Sequence, residues 1–280
     1  MLSGHARAGA ERWDKLATPL FEHLGLEQGL PHPVSMALAQ DGDGYIWIGT
    51  QSGLARWDGY RVRSFHHNAT DPTSLPGDFI QTLHVDARGR LWVGTATAGL
   101  AMYDNRKEHF VRLNEELSHG LVSAIASDAK GNLWIGTPTG LKFYDAIAGT
   151  VTNHTRETAP GLPDNQVRAL LVDRSGNLWI GTGTGLARMK PGGAIAAIPV
   201  GAAGRGGWSD TILSLGENSR GQIAFGTLKS GIGTVDPLAD SGRLAALKGV
   251  RDVESNMVLS VAESTPGTWW AGTYLSLIHI

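Results

Sequence analysis

A short apolar run closing on Gly-Thr returns six times along this chain, and the copies predict an all-β fold, a β-propeller of four-stranded antiparallel blades. The copies read YIWIGT to Thr50, RLWVGT to Thr95, NLWIGT to Thr137 and again to Thr182, QIAFGT to Thr227 and TWWAGT to Thr273. With Trp47, Trp92, Trp134, Trp179, Phe225 and Trp270 as the aromatic of each copy, the steps are 45, 42, 45, 46 and 45 residues, the period of a propeller blade. The composition agrees: 38 Gly and 9 Trp among 280 residues suit many tight turns with an aromatic at regular intervals.

Each unit resolves into four short strands. The first is an apolar stretch such as VSAIASD (Val122 to Asp128) or VRALLVD (Val167 to Asp173). An Asp-x-x-Gly turn follows, from Asp41 to Gly44, Asp86 to Gly89, Asp128 to Gly131 and Asp173 to Gly176, with Asn218 and Ser264 in place of Asp in the last two units. The Asp side chain can bond its own turn and the Gly supplies a positive φ. The second strand is the motif itself, in which Leu and Ile point to one neighbouring blade and Trp to the other. The indole is expected to fill the wedge between blades, and the following Gly to leave room beside it. A Gly-Leu or Gly-Ile turn (Gly53, Gly99, Gly140, Gly185, Gly231) leads to the third strand, which ends on an aromatic-Asp pair in three copies, and a run such as HFVRL (His109 to Leu113) makes the fourth. No segment has a helical period long enough to compete.

Three segments are expected: a lead over 1–19, blades over 20–274, and a tail over 275–280 that resembles a translated sequencing adapter rather than native protein. The start, MLSGHARAGAERW, has the small-residue stretch that ends a signal peptide without its apolar middle, so the true start is expected upstream. LFEHLGLEQGL (Leu20 to Leu30) reads as the outermost strand of a blade whose other strands come from the far end, and the ring is therefore expected to be incomplete, an open array with an exposed edge.

Bulk charge and residue types exclude several functions. The 24 basic and 26 acidic residues are scattered and give a net charge of -2, so a nucleic-acid partner has no electrostatic support. Without Cys there are no disulfides, thiolate metal sites or Cys nucleophiles. The recurring carboxylates read as turn-makers, because an active site is assembled once whereas a residue needed in every unit is structural. His66 and His67 are adjacent and would face opposite sides of a strand, a poor chelate, and GTGTG (Gly181 to Gly185) is one copy of the blade turn rather than a phosphate loop. The expectation is therefore no catalytic residue, no metal and no cofactor.

Recognition is expected where the copies differ. The loop entering a blade and the turn between its second and third strands open on one face, and the longest variable connections are of the entering type: Asn68 to Gly77, Asn114 to Gly120, Thr155 to Asn165 and Val200 to Asp210. Candidate ligand residues on that face are His32, Gln51, Asp78, His119, Asn165, Trp208 and Asp210, with Thr97, Thr139, Thr184 and Lys229 in the other turns. Trp208 is an aromatic outside the repeat position and would suit stacking on a sugar ring.

The string Asp-x-x-Gly-Asn-Leu-Trp-Ile-Gly-Thr-x-x-Gly-Leu-x-x-x-Asp resembles the two-component regulator propeller repeat over about Phe21 to Tyr274. That resemblance implies the periplasmic sensor region of a membrane-bound hybrid histidine kinase or diguanylate cyclase. It further implies a small-molecule or oligosaccharide ligand, downstream signalling domains on the same polypeptide, homodimerisation of the full-length protein, and no catalysis by this segment. Two alternatives stand beside it. A propeller enzyme, such as a polysaccharide lyase, a glycosidase or a quinone-dependent oxidoreductase, would need a non-repeated cluster of carboxylates or His at the channel mouth. A WD40-like scaffold would need Gly-His and Trp-Asp dipeptides, and Trp57-Asp58 is the one Trp-Asp at the appropriate point.

Overall fold

The structure, a computed structural model, describes residues 23–113, 115–200, 209–238, 241–244, 257–273 and 277–279. Five four-stranded sheets and one three-stranded sheet follow one another along the chain, each strand pairing antiparallel with the next. Blade 1 comprises β1 (Ser35–Gln40), β2 (Ile46–Thr50), β3 (Gly53–Trp57) and β4 (Val62–Phe65); blade 2 comprises β5 (Ile80–Val85), β6 (Leu91–Thr95), β7 (Leu100–Asp104) and β8 (His109–Arg112). Blade 3 runs through β9 (Ala124–Ser127), β10 (Leu133–Thr137), β11 (Gly140–Tyr144) and β12 (Val151–His154), and blade 4 through β13 (Val167–Val172), β14 (Leu178–Thr182), β15 (Leu186–Met189) and β16 (Ile195–Ile198). Blade 5 holds β17 (Ile212–Glu217), β18 (Ile223–Thr227), β19 (Ile232–Val235) and β20 (Gly242–Leu244); the last sheet holds β21 (Val258–Thr265), β22 (Thr268–Thr273) and β23 (Leu277–His279). Among the described residues no helix is long and apolar enough to cross a membrane.

The first strand of each blade packs on the first strand of the next, from β1 through β5, β9, β13 and β17 to β21, and no packing of that extent joins β21 to β1. The trailing face of blade 1 is open accordingly: Met36 and Leu38 of β1 are 38% and 67% exposed.

The core is not central but divided among the junctions. Trp47 packs with Ile80, Leu91 and Tyr103 of blade 2, Trp92 with Ile125, Leu133 and Ile135 of blade 3, Trp134 with Leu178 and Ile180 of blade 4, and Trp179 with Ile212, Ile223 and Phe225 of blade 5. The indoles are wedges, as the alternation of the motif requires. The glycine beside each indole has a different neighbour from the one expected. A Cβ on Gly49, Gly136 or Gly181 would come within 2.6 to 2.8 Å of a branch methyl of Ile80, Val167 or Ile212, the residue that opens the next blade's first strand. Glycine is thus a socket for the neighbouring blade, not clearance for the indole.

The fifth unit corrects the register read from its aromatic. Counted from Gly226, the wedge position belongs to Ala224, which faces blade 6 with Val258 and Ala271, whereas Phe225 points back into the junction with Trp179. The space is made on both sides. Gly233 pairs with Phe225 and has no Cβ to collide with its ring, and Trp269 of the next unit packs into the junction that Ala224 leaves shallow.

The lead-in also differs from expectation. Its described part is not a strand: Leu26–Gln28 is a single 3-10 turn, closed by Gly29 at φ 100, and Leu30 buries against Ile48 and Ala55. Two glycines flanking the turn favour a bend over extension, and the Gln28 side chain holds it by accepting the Gly25 N–H at 2.8 Å. The described tail backbone, Leu277–His279, pairs with β22 as a third strand. The lead over 1–19 and Trp208 lie outside the described residues.

Candidate functional site

Hydrogen bonds show that the entering loops and the β2–β3-type turns share one face. Gly53 N donates to Asp78 O at 2.7 Å, Gly120 N to Thr97 O at 2.9 Å, Gly183 N to Gln166 O at 2.9 Å, and the Thr184 hydroxyl to Pro163 O at 3.2 Å. The first two links join the turn of one blade to the loop entering the next, and the last two join the turn of blade 4 to its own entering loop. The turn itself is set by the motif threonine, whose buried hydroxyl donates to a glycine carbonyl: Thr50 to Gly53, Thr95 to Gly99, Thr137 to Gly140, Thr182 to Gly185 and Thr227 to Gly231, at 2.7 to 3.0 Å. The entering loops are anchored by a buried leucine, Leu75, Leu117 or Leu162, dropped into the junction below. A Leu two residues before a short polar pair, as in LPGD and LPDN, is the sequence sign of this anchor.

Against that frame the candidate residues separate into two groups. Asp78, Asn165 and Asp210 occupy one repeat position and spend their side chains on the loops. Asp78 Oδ1 accepts the His67 N–H at 2.7 Å, Asn165 Oδ1 accepts the Arg156 N–H at 2.8 Å, and Asp210 Oδ2 accepts the N–H groups of Lys229 and Ser230 at 3.1 and 2.8 Å. Repetition is the signal of this role, as it was for the turn aspartates. His32 is half-buried, with Nδ1 accepting the Val34 N–H at 3.1 Å. His119 is exposed, with Nδ1 donating to Glu115 O at 3.0 Å, and Gln51 is exposed beside Met36.

Gln51, Thr97, Thr139, Thr184 and Lys229 stand exposed at the tips of successive turns, so the face ends in an arc of mostly uncharged hydrogen-bonding side chains. Such an arc can bind neutral polar groups by multiple weak contacts. His66 Nδ1 lies 3.9 Å from Asp78 Oδ1 while His67 Nδ1 donates to Leu75 O at 2.9 Å; the two rings serve different partners. Among the described residues no group of three or more His, Asp or Glu is placed to hold a metal ion.

The opposite rim gathers the turns between first and second strands and those between third and fourth. There Asp41 Oδ2, Asp86 Oδ2 and Asp173 Oδ2 each accept the indole N–H of the wedge in their own blade, from Trp47, Trp92 and Trp179, at 2.7, 2.9 and 2.8 Å. Burial by itself would raise the Asp86 carboxyl, but hydrogen bonds from Trp92 and Arg90 and the Arg90 charge hold it below the usual range. Asn218 replaces Asp in the unit whose wedge position is Ala224, where there is no indole to bind.

Comparison with known proteins follows the same units. The sequence pattern of the two component regulator propeller family matches residues 29–52, 74–97, 116–139 and 161–184, each spanning an entering loop, a first strand and a motif strand. No curated protein sequence matches the chain. Among solved structures, one described as the extracellular domain of the hybrid two component system BT3049 from B. thetaiotaomicron superposes with a TM-score of 0.75 at 22% identity, covering 92% of this chain and 35% of that one. The corresponding domain of BT4673 from the same organism gives 0.58 at 20% identity, with 88% and 38% covered. Virginiamycin B lyase from Staphylococcus aureus gives 0.68 at 12% identity, with 89% and 81% covered. At these identities the likeness is one of fold, and the chain spans about a third of the BT3049 domain. The chain is a β-propeller in which four successive units match the two component regulator propeller repeat.

Proposed function

We propose that this propeller is the extracytoplasmic ligand-sensing region of a membrane-bound bacterial signalling protein, a hybrid histidine kinase or a diguanylate cyclase. The observation that carries this reading is the match of four successive units to the regulator propeller pattern, in register with the blades. The fold likeness to extracellular domains of two component systems supports it. The ligand surface is the arc of turn tips with His119 beside it, and its uncharged donors and acceptors suit an oligosaccharide. Binding there would act on a partner domain or subunit only through a difference in affinity between two arrangements of the assembly.

The test combines location and binding. An alkaline phosphatase fusion to the full-length protein, joined after this segment, is expected to be active, as only extracytoplasmic fusions are. The purified propeller is expected to retain specific oligosaccharides on a glycan array, with Gln51→Ala and His119→Ala reducing retention at least tenfold at unchanged melting temperature. An inactive fusion, or an array without retained glycans, would remove the reading. The fold likeness to virginiamycin B lyase favours a second reading as a propeller enzyme. Mass spectrometry of the retained glycans decides between the two, since a sensor returns them unmodified.

A further inference from the structure

On the rim opposite the loop face, a cavity of about 230 Å³ opens between blades 1 and 2, lined by Asp41, Asp43, Trp47, Arg88, Tyr103 and Asn105 among others. Beside it the first unit departs from the repeat. In units 2, 3 and 4 the residue four places after the repeat Asp donates back to it: Arg90 Nε to Asp86 Oδ2 at 2.7 Å, Asn132 Nδ2 to Asp128 Oδ2 at 2.9 Å and Asn177 Nδ2 to Asp173 Oδ2 at 2.8 Å. Unit 1 has Tyr45 there, with its ring stacked under the Arg56 guanidinium at 4.6 Å. Asp41 Oδ2 accepts the Trp47 indole N–H without a side-chain donor from position 45, whereas Asp86 Oδ2 and Asp173 Oδ2 each take both an indole and a side-chain donor.

Tyr103, 4% exposed, forms part of the cavity wall, and its hydroxyl is buried behind that wall without a hydrogen-bond partner. Burial raises its pKa, so the hydroxyl stays protonated at neutral pH. A buried polar group in a native protein normally has a partner. Asn105 Nδ2 donates to Asp43 Oδ2 at 3.2 Å and Arg88 donates one guanidinium N–H to Lys130 O at 2.8 Å, which leaves further donors of both side chains, and the amide oxygen of Asn105, for a guest.

We propose that this cavity binds a neutral polyhydroxylated molecule of the size of one sugar ring. A hydroxyl is the one common group that can donate to a carboxylate and accept from an arginine or an amide at once, and adjacent hydroxyls on a ring would serve Asp41, Asp43, Arg88 and Asn105 together. The flanks of Trp47 and Leu91 meet the ring carbons. Two carboxylates against one guanidinium disfavour an anionic guest. The site is separate from the loop face and does not depend on the sensing role proposed above.

The experiment is calorimetric and saturation-transfer titration of the whole 280-residue chain with D-galactose, D-glucose and L-arabinose, with D-glucuronate as the anionic control. At least one neutral sugar is expected to bind, and D-glucuronate at least tenfold more weakly. Arg88→Gln, which removes the guanidinium, and Tyr45→Asn, which places a side-chain donor beside Asp41, are each expected to weaken binding at least tenfold, while His119→Ala on the loop face leaves it unchanged. Absence of binding by all three sugars overturns the proposal, as does binding that survives both variants or is lost in His119→Ala. A melting-temperature rise with calcium alone that disappears in Asp43→Asn overturns it too, by making the cavity a cation site.

Discussion

The Asp86 carboxylate takes the Trp92 indole N–H at 2.9 Å on Oδ2 while its Oδ1 accepts the turn N–H groups of Arg88 and Arg90 at 2.9 and 3.0 Å. One side chain therefore ties a hairpin turn to the wedge of the junction. Asp86→Ala strands three donors and the Arg90 guanidinium, and is expected to cost about 3 kcal/mol or more. Urea unfolding of the variant against wild type measures it, and a loss under about 1 kcal/mol would show that water replaces the carboxylate.

The socket at Gly49 couples two blades. Gly49→Ala sets a Cβ 2.6 Å from Ile80 Cγ2 and is expected to destabilise by about 1 to 3 kcal/mol. Ile80→Ala opens a cavity at a fully buried site and is expected to cost about 2 to 5 kcal/mol. Combined, the two should cost less than their sum, because each relieves the other. A strictly additive double-mutant cycle would refute the socket.

Ala224 and Trp269 trade volume across the junction of blades 5 and 6. Ala224→Trp alone overfills the space, and Trp269→Leu alone empties it. The pair together restores the arrangement of the other junctions and is expected to melt above either single variant. If the double variant melts no higher than the worse single one, the compensation is not real.

His84 joins the first strands of blades 2 and 3 through a 2.8 Å contact between Nε2 and Ser127 Oγ. Burial lowers its pKa, against a smaller opposing pull from Asp86. The unfolded chain then binds more protons than the folded one below the ordinary histidine pKa of about 6.5, so stability falls as pH drops through that value. His154, half-buried and lowered by burial, adds the same sign. The fall in melting temperature between pH 7 and pH 5 is expected to be smaller in His84→Gln than in wild type, and an equal fall would remove His84 from the account.

Much of this architecture is legible in the sequence because the period is carried by residues with one geometric job. Trp47, Trp92, Trp134 and Trp179 alternate with Leu and Ile, and alternation on a strand fixes which blade each side chain meets. Phe225 misleads for the same reason: an aromatic one place late lies on the other face, and counting from Gly226 instead of from the ring finds Ala224. The contact that requires the motif glycine spans two units and is visible only once the blades are stacked. That the entering loops and the turn tips share one face follows from the strand order and is seen in their hydrogen bonds, whereas the work of single side chains there depends on loop geometry. Asp78, Asn165 and Asp210 look variable because their loops vary in length, yet they sit two residues before the branched residue of each first strand and perform related closures. The cavity beside Tyr103 left no motif at all, since its walls come from two units, and the departure next to it is one residue, Tyr45, where Arg90, Asn132 and Asn177 stand as donors in units 2 to 4.

Every apolar cluster between blades draws its members from two adjacent units, and that has an evolutionary consequence. A substitution at one junction is therefore expected to be compensated within the same two units, in the way Trp269 packs beside Ala224. The heritable module is then half of one blade together with half of the next, and a duplication whose ends fall within motif strands carries a finished interface with it.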